Sequence, residues 1–132
     1  YSSAASDVYK RQGISRLKRR DVPVTLISGE DNKIIDRFCQ QLGIEKYYKG
    51  CKEKIKAIEE LSTYYRLSLD NVCYIGDDVN DIPALEKVGL AVGVPNGWEG
   101  IRKHVHYITA NPGGNGAVRE VCELILSHMQ EK

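Results

Sequence analysis

The chain has 132 residues, a length that suits one compact domain with its own hydrophobic core. Its 19 Lys and Arg residues nearly balance its 18 Asp and Glu residues, giving a formal net charge of +1. This balance gives no excess of basic residues for binding nucleic acid or an anionic membrane surface. No apolar run approaches the length of a membrane span. The composition therefore predicts a soluble, cytoplasmic protein that binds neither nucleic acid nor membrane.

The cysteines and histidines give no sign of a disulfide framework or of a zinc site. The cysteines are widely spaced without a C-x-x-C pair, which predicts reduced thiols, and the histidines offer no ligand pair four residues apart. These residues are Cys39, Cys51, Cys73, Cys122, His104, His106 and His128.

The first twelve residues, YSSAASDVYKRQ, are rich in Ser and Ala and lack the periodicity of the rest of the chain. The string resembles translated adapter sequence, so we predict a non-native segment at 1–12 and a domain at 13–132. On this interpretation the natural chain begins near Gly13, already inside a fold.

From Gly13 onward, short β-rich runs alternate with amphipathic windows, a pattern typical of a parallel α/β sheet. The basic run within 14–20 indicates the end of a helix. The predicted strands share an apolar or β-branched run bounded by turn residues, and they cover 24–28, 46–48, 71–75, 90–94 and 106–109. The predicted helices share apolar residues at helical spacing, and they run from Ile34 to Gly43, Ile55 to Tyr65, Pro83 to Gly89 and Val118 to Met129.

An acidic cluster comes after the third predicted strand, in YIGDDVNDIPAL at 74–85. Like charges repel, and Asp is a poor helix and strand former, so the cluster costs stability unless a cation or hydrogen-bond donors offset it. Gly76 would let the backbone turn sharply, and Asp77 offers a hard carboxylate oxygen of the kind that Mg²⁺ accepts. An Asp-rich turn with a helix cap is an equally good explanation of these residues by themselves.

Two further polar groups come after predicted strands, where ligands of an open parallel sheet collect. Ser28 and Gly29 suit an anionic oxygen, although a Ser helix cap followed by a Gly turn is the simpler explanation. Lys52, Lys54 and Lys56 lie around a helix start, where the dipole disfavours cations. One of them could neutralise a phosphate, and solvated surface lysines are the alternative.

Three segments, TLISGE, a lysine at a helix start and YIGDDVNDIPALEKVGLAVGVPN, occur in an order that resembles the second, third and fourth motifs of the haloacid dehalogenase superfamily. With the tail PGGNGAVREVCELIL, the chain is most similar to the capless 3-deoxy-D-manno-octulosonate 8-phosphate phosphatases and their nonulosonate 9-phosphate relatives. The resemblance implies a three-layer α/β fold with a Rossmann-like parallel sheet. It also implies Mg²⁺-dependent hydrolysis of a phosphorylated 3-deoxy-2-keto sugar acid through an aspartyl-phosphate.

The resemblance further implies roles for individual residues. Ser28, Gly29 and Lys54 would bind the phosphoryl group. Asp77 would ligate Mg²⁺, and Asp81 would orient Lys54 or a metal-bound water. Two more residues, Asp78 and Asn80, would contact these groups without touching the metal or the phosphoryl group. Asp78 could instead only structure the loop.

The glycine-rich tail resembles a segment that reaches the active site of a neighbouring subunit in homotetramers. Its residues are Gly113, Gly114, Asn115 and Gly116. Relatives often carry Arg at the position of Asn115, and such an Arg would pair bidentately with a sugar-acid carboxylate. The resemblance therefore leaves open which sugar acid is the substrate, and with it a role in lipopolysaccharide or in sialic acid biosynthesis.

The first motif of the family, a D-x-D on a strand, does not occur in this sequence. In the resembled family this strand is the central one, between the strands that correspond to 24–28 and 71–75. We therefore expect a partial domain whose interrupted sheet carries binding groups without the nucleophile. The alternative is a non-catalytic oligomerisation module at the C-terminus of an acylneuraminate cytidylyltransferase.

Overall fold

The computed structural model describes residues 4–114 and 116–130, with the side chains of 10–114 and 116–129. The chain divides into two compact units, Tyr1–Gly50 with Gly114–Lys132, and Cys51–Gly113. In chain order its helices and strands are α1 (Ala4–Arg19), β1 (Leu26–Ile27), α2 (Lys33–Leu42), β2 (Tyr47–Tyr48), α3 (Lys54–Tyr64), β3 (Cys73–Gly76), α4 (Ile82–Leu85), β4 (Leu90–Gly93), β5 (Tyr107–Ile108) and α5 (Ala117–Gln130).

The first unit contains α1, α2 and α5 with a short parallel sheet, in which Leu26 of β1 lies opposite Tyr47 of β2. Its core consists of buried side chains from the three helices and the turn after α2, namely Ile14, Leu17, Cys39, Leu42, Ile44, Cys122 and Leu126. Helices α1 and α5 approach closely at Gly13, where an added Cβ atom would lie 3.0 Å from the Cβ of Cys122. The tight contact favours a residue without a side chain where these helices meet.

Helix α2 begins and ends at the residues that helix chemistry favours. The Asn32 side chain accepts hydrogen bonds from the backbone N–H groups of Ile34 and Ile35, which caps the helix. Gly43, with φ of 75°, takes the left-handed conformation that ends it. The prediction of a helix that ends at Gly43 is confirmed.

Helix α1 extends further towards the N-terminus than the sequence pattern indicates. The predicted helix end at 14–20 is confirmed, but the helix already begins at Ala4. Lys10 is buried, with its ammonium group 5.6 Å from the centre of the Phe38 ring. The non-native origin of residues 1–12 stays a prediction.

The second unit contains a three-stranded parallel sheet in the order β3, β4, β5. Cys73 lies opposite Leu90 in this sheet, and Val92 lies opposite Tyr107. Its core lies on α3, α4, β4 and their connections, and consists of Ala57, Ile58, Leu61, Ala84, Leu85, Val88, Ala91, Val92, Val94 and Ile101. Parallel strands with crossover helices confirm the predicted α/β class.

The helix expected from Pro83 to Gly89 is shorter than predicted. A 3-10 turn over Val79–Asp81 precedes α4, which ends at Leu85 because its last turn tightens: the N–H of Lys87 donates to the carbonyl of Ala84. Gly89 does not end the helix. It is needed because an added Cβ atom would lie 1.8 Å from the backbone oxygen of Asp70.

In the described residues the strands form a two-stranded and a three-stranded sheet, and the interruption by a missing strand stays a prediction. The observed strands are shorter than the predicted ones, down to two residues in β1, β2 and β5. None of the four cysteines, all of them within the described ranges, is in a disulfide, and burial raises the pKa of Cys122 to about 11. Within the described ranges, no helix combines the length and apolarity that crossing a bilayer requires.

Candidate active site

The acidic cluster lies on the loop between β3 and α4, at the carboxyl end of a parallel strand. The Asp78 carboxylate accepts a hydrogen bond from the N–H of Val79 at 2.7 Å, and the carbonyl of Asp78 accepts one from the N–H of Asp81 at 2.9 Å. Asp78 is therefore the N-cap of the 3-10 turn. Asp78 thus structures the loop, and its further role beside the metal and phosphate ligands stays a prediction.

The carboxylate of Asp81 is the centre of the cluster, and it is only 2 % exposed. Its Oδ1 accepts hydrogen bonds from the Nζ of Lys54, at 3.0 Å, and from the hydroxyl of Tyr74. Its Oδ2 accepts from the backbone N–H groups of Asp77 and Asp78, at 3.0 and 3.1 Å. Four donors thus surround one buried carboxylate, which offsets the cost of placing its charge there.

Gly76 is required because the Asp81 side chain packs directly against it. A Cβ atom at position 76 would lie 2.7 Å from the Cβ of Asp81 and 2.9 Å from its carboxyl carbon. The sequence suggested a sharp turn at Gly76, but its φ is not in the positive range where glycine is favoured. The structure instead assigns this glycine to a close approach.

The two carboxyl groups nearest the end of β3 have opposite pKa shifts. Burial raises the pKa of Asp81, but the hydrogen bonds from Tyr74, Lys54 and the backbone outweigh it, so the pKa lies below its usual value. The pKa of Asp77 is raised by burial first and then by repulsion from Asp81, with Lys54 only partly offsetting these effects. A nearby cation would therefore favour the ionised form of Asp77.

Asp77 is the carboxylate of this loop that remains available to a cation, and its role as a magnesium ligand stays a prediction. The residue is exposed, and the hydrogen-bond donors around Asp81 leave that carboxylate less able to act as a ligand. Among the described residues, no group of three or more His, Cys, Asp or Glu side chains is placed to hold a metal ion. Asp77 would therefore supply part of an octahedral set completed by other oxygens.

The three candidate lysines differ in what they contact. Lys54, the first residue of α3, is 17 % exposed and lies within 3.0 Å of the Asp81 carboxylate. Lys56 instead pairs with the exposed Glu53 at 2.8 Å, and Lys52 is exposed. The structure brings only Lys54 into contact with the acidic cluster among these three residues.

Ser28 and Gly29 belong to the first unit, directly after β1. The N–H of Ser28 donates to the carbonyl of Tyr48 at 2.9 Å, and its hydroxyl oxygen accepts from the N–H of Glu30 at 3.1 Å. Asn32 caps the next helix, so the explanation of Ser28 as a helix cap is wrong. A place for Ser28 and Gly29 beside the phosphoryl group stays a prediction.

The glycine-rich tail is held at its first residue. The Asn96 side chain accepts a hydrogen bond from the N–H of Gly113 at 2.6 Å and donates one to its carbonyl at 3.2 Å. Gly114 and Gly116 have positive φ angles of 84° and 99°, which favour glycine. Asn115 lies outside the described residues. Contact of the tail with a neighbouring subunit stays a prediction.

Sequence reasoning missed three residues that contact the loop or the tail. Tyr74 gave a faint signal, as a hydroxyl inside an apolar strand that leads into the acidic cluster. Asn96 and Gly97 gave no signal beyond a turn. Gly97 packs against Asp77, since an added Cβ atom would lie 2.9 Å from the Asp77 carbonyl oxygen, and that oxygen accepts from the N–H of Trp98 at 2.7 Å.

Comparison with known proteins relates the chain to a family of hydrolases. A model of the haloacid dehalogenase-like hydrolases matches residues 49–121, more than half of the chain. The chain is 38% identical over 122 residues to the 3-deoxy-D-manno-octulosonate 8-phosphate phosphatase of Escherichia coli K12, and equally to that of Yersinia pestis. These alignments cover 92% of the chain, which spans 65% of the length of either relative.

Solved structures show the same similarity. The octulosonate 8-phosphate phosphatase of Moraxella catarrhalis, in complex with magnesium, phosphate and the sugar acid KDO, aligns with a TM-score of 0.86 and 39% identity. This alignment covers 91% of the chain and 69% of that protein. The Yersinia pestis structure aligns with a TM-score of 0.89 and 37% identity over 93% of the chain and 66% of that protein.

Proposed function

Because the chain belongs to the haloacid dehalogenase-like hydrolase family, we propose that the whole protein is a phosphatase for the phosphate monoester of a 3-deoxy-2-keto sugar acid. The substrate is octulosonate 8-phosphate or nonulosonate 9-phosphate. The Escherichia coli and Yersinia pestis relatives act on the former. The observation that carries the proposal is the Lys54–Asp81 ion pair of 3.0 Å beside Asp77, at the carboxyl end of β3.

Each residue of the site then has a role in the reaction. The Lys54 ammonium group binds the anionic phosphoryl group while Asp81 holds that ammonium in place. Ser28 and Gly29 bind the same group through the hydroxyl and the backbone N–H. Asp77 holds Mg²⁺, which supplies positive charge to the phosphoryl oxygens when bound.

The covalent step needs a carboxylate nucleophile, and the family's D-x-D motif that would supply it does not occur in the 132-residue sequence. In the whole protein, an aspartate oxygen forms a bond to phosphorus while the bond from phosphorus to the sugar oxygen breaks. Water then cleaves the aspartyl-phosphate and releases inorganic phosphate. We further propose that the whole protein works in the cytoplasm as a homotetramer, with its glycine-rich tail at a neighbouring site.

The experiment compares turnover of octulosonate 8-phosphate, nonulosonate 9-phosphate and 4-nitrophenyl phosphate by the whole protein, with and without Mg²⁺. Lys54→Met should lower kcat by roughly a hundredfold, while the matched variant Lys56→Met should leave it unchanged. The purified 132-residue chain should hydrolyse none of the three. Turnover without a divalent cation, or equal losses in the two lysine variants, would contradict the proposed function.

A further inference from the structure

Tyr74 is a residue of β3 that the proposed reaction does not use. Its hydroxyl donates a hydrogen bond to Oδ1 of Asp81, the same oxygen that accepts the ammonium group of Lys54. Burial, and then the hydrogen bond to Asp81, raise the pKa of Tyr74 above its usual value. At neutral pH the phenol therefore keeps its proton and acts as a hydrogen-bond donor.

The shared oxygen restricts where Lys54 can lie. A carboxylate oxygen has two lone pairs, and Tyr74 and Lys54 together occupy those of Oδ1. The other oxygen, Oδ2, is held by the backbone N–H groups of Asp77 and Asp78. With both oxygens held, one direction remains for the ammonium group of Lys54.

We infer that Tyr74 is a positioning residue of this site: its hydroxyl, by sharing Oδ1 of Asp81, fixes the direction in which Lys54 is held. The contacts themselves are independent of the reaction, and only their catalytic effect rests on the proposed function. Without the hydroxyl, Lys54 can take either lone pair of Oδ1, and the ammonium group is spread over two positions.

Tyr74→Phe is the variant that separates this role from packing, since it keeps the ring and removes only the hydroxyl. Tyr64→Phe is the matched control, because it makes the same change on an exposed side chain of α3 in the same unit. In the whole protein, Tyr74→Phe should lower kcat about tenfold with KM within about twofold, as expected when one positioning hydrogen bond is lost. Tyr64→Phe should change neither constant.

A double-mutant cycle on the unfolding of the whole protein tests the shared oxygen without any need for activity. Tyr74→Phe and Lys54→Met each leave Oδ1 of Asp81 with one hydrogen-bond donor. The double variant leaves this buried oxygen with neither donor. The unfolding equilibrium constant of the double variant should therefore exceed the product of the two single effects by roughly fivefold. The control cycle of Tyr64→Phe with Lys54→Met should be multiplicative within error.

The outcomes distinguish this inference from the proposed function. A multiplicative cycle for Tyr74 and Lys54 would overturn the inference, as would an active whole protein in which Tyr74→Phe has the kcat of the wild type. If Lys54→Met does not fold, Lys54→Gln takes its place in both cycles. A wild-type whole protein that hydrolyses no phosphate ester contradicts the proposed function, and the cycle then still decides whether Tyr74 and Lys54 share the oxygen.

Discussion

At the scale of single residues, the three aspartates of the cluster differ in burial and in hydrogen bonding although they lie within five positions of one another. Asp81 is buried with four donors, Asp78 caps the following turn, and Asp77 remains exposed with a raised pKa. Of the donors to Asp81, Lys54 only partly offsets the effects that raise the pKa of Asp77. Of the three, Asp77 therefore has the most to gain from a bound cation.

Asp77→Asn should stabilise the metal-free protein, because the folded state disfavours the charge that this variant removes. In EDTA at pH 7, the Tm of the variant should be at least that of the wild type. Added Mg²⁺ should raise the Tm of the wild-type whole protein and leave that of the variant unchanged. Thermal unfolding followed by circular dichroism measures both effects.

Asp70→Asn is the control for this comparison, since Asp70 is an exposed residue of the same unit. It should respond to Mg²⁺ as the wild type does. A Tm of Asp77→Asn well below that of the wild type in EDTA would contradict this prediction. It would show that the Asp77 carboxylate stabilises the fold even without a cation.

At the scale of elements, the sequence predicted what depends on neighbours along the chain. Helix α2 could be predicted because its apolar spacing and Gly43 are local signals. Gly89 was misassigned because its requirement comes from the backbone of Asp70, which is distant in sequence. The contact of Tyr74 with Asp81 was missed for the same reason, since it depends on where β3 places the aromatic ring.

The contact between α2 and β2 should stabilise the fold in a pH-dependent way through Asp36. The Asp36 carboxylate accepts hydrogen bonds from the Tyr47 hydroxyl at 2.6 Å and from Lys49 at 2.8 Å, and these bonds hold its pKa below the usual value. A lowered pKa means that the stabilisation is complete above the unfolded-state value near 4 and is lost as the pH falls through the folded-state value. Asp36→Asn should therefore lower the urea midpoint at pH 7, with the difference shrinking towards pH 3.

Asp31→Asn serves as the control for Asp36, since Asp31 lies 4.0 Å from the same lysine and is much more exposed. It should change the urea midpoint little at either pH. A constant difference in urea midpoint between Asp36→Asn and the wild type from pH 7 to pH 3 would mean that the carboxylate charge does not stabilise the contact between α2 and β2.

The crossing of α1 and α5 should tolerate no large residue at position 13. Gly13→Leu places a branched side chain where the Cβ atom alone would already lie 3.0 Å from Cys122, and we expect a loss of about 2 kcal/mol in the free energy of unfolding. Urea denaturation measures this loss. Gln12→Leu, an exposed neighbour on the same helix, should cost little, and equal losses in the two variants would argue against a close crossing.

At the scale of the whole molecule, the edge of the sheet at β3 bears on how the chain behaves in solution. In the part of the chain that the structure describes, β3 pairs with β4 on one side and with no strand on the other. An apolar strand at the edge of a sheet is a recognised template for pairing with another chain, and so a route to self-association. We propose that the D-x-D strand of the whole protein covers this edge.

The 132-residue chain should therefore associate as its concentration rises, while the whole protein keeps one size over the same range. Size-exclusion chromatography with light scattering measures this difference. Amide exchange should be fast in β3 of the isolated chain, because an edge strand is readily opened. A monomeric chain that unfolds cooperatively, with slow exchange in both β1 and β3, would show that the missing strand has been placed wrongly.

The packing of Asp81 onto Gly76 also has a consequence for how this sequence can change over time. Every amino acid reachable from a glycine codon by one base change carries a Cβ atom, and at position 76 that atom would lie 2.7 Å from the Asp81 side chain. Each such replacement disturbs the carboxylate that holds Lys54. In a saturation-mutagenesis library selected for function, synonymous codons should be the sole survivors at this position, whereas the exposed Val79 three residues later should accept many replacements.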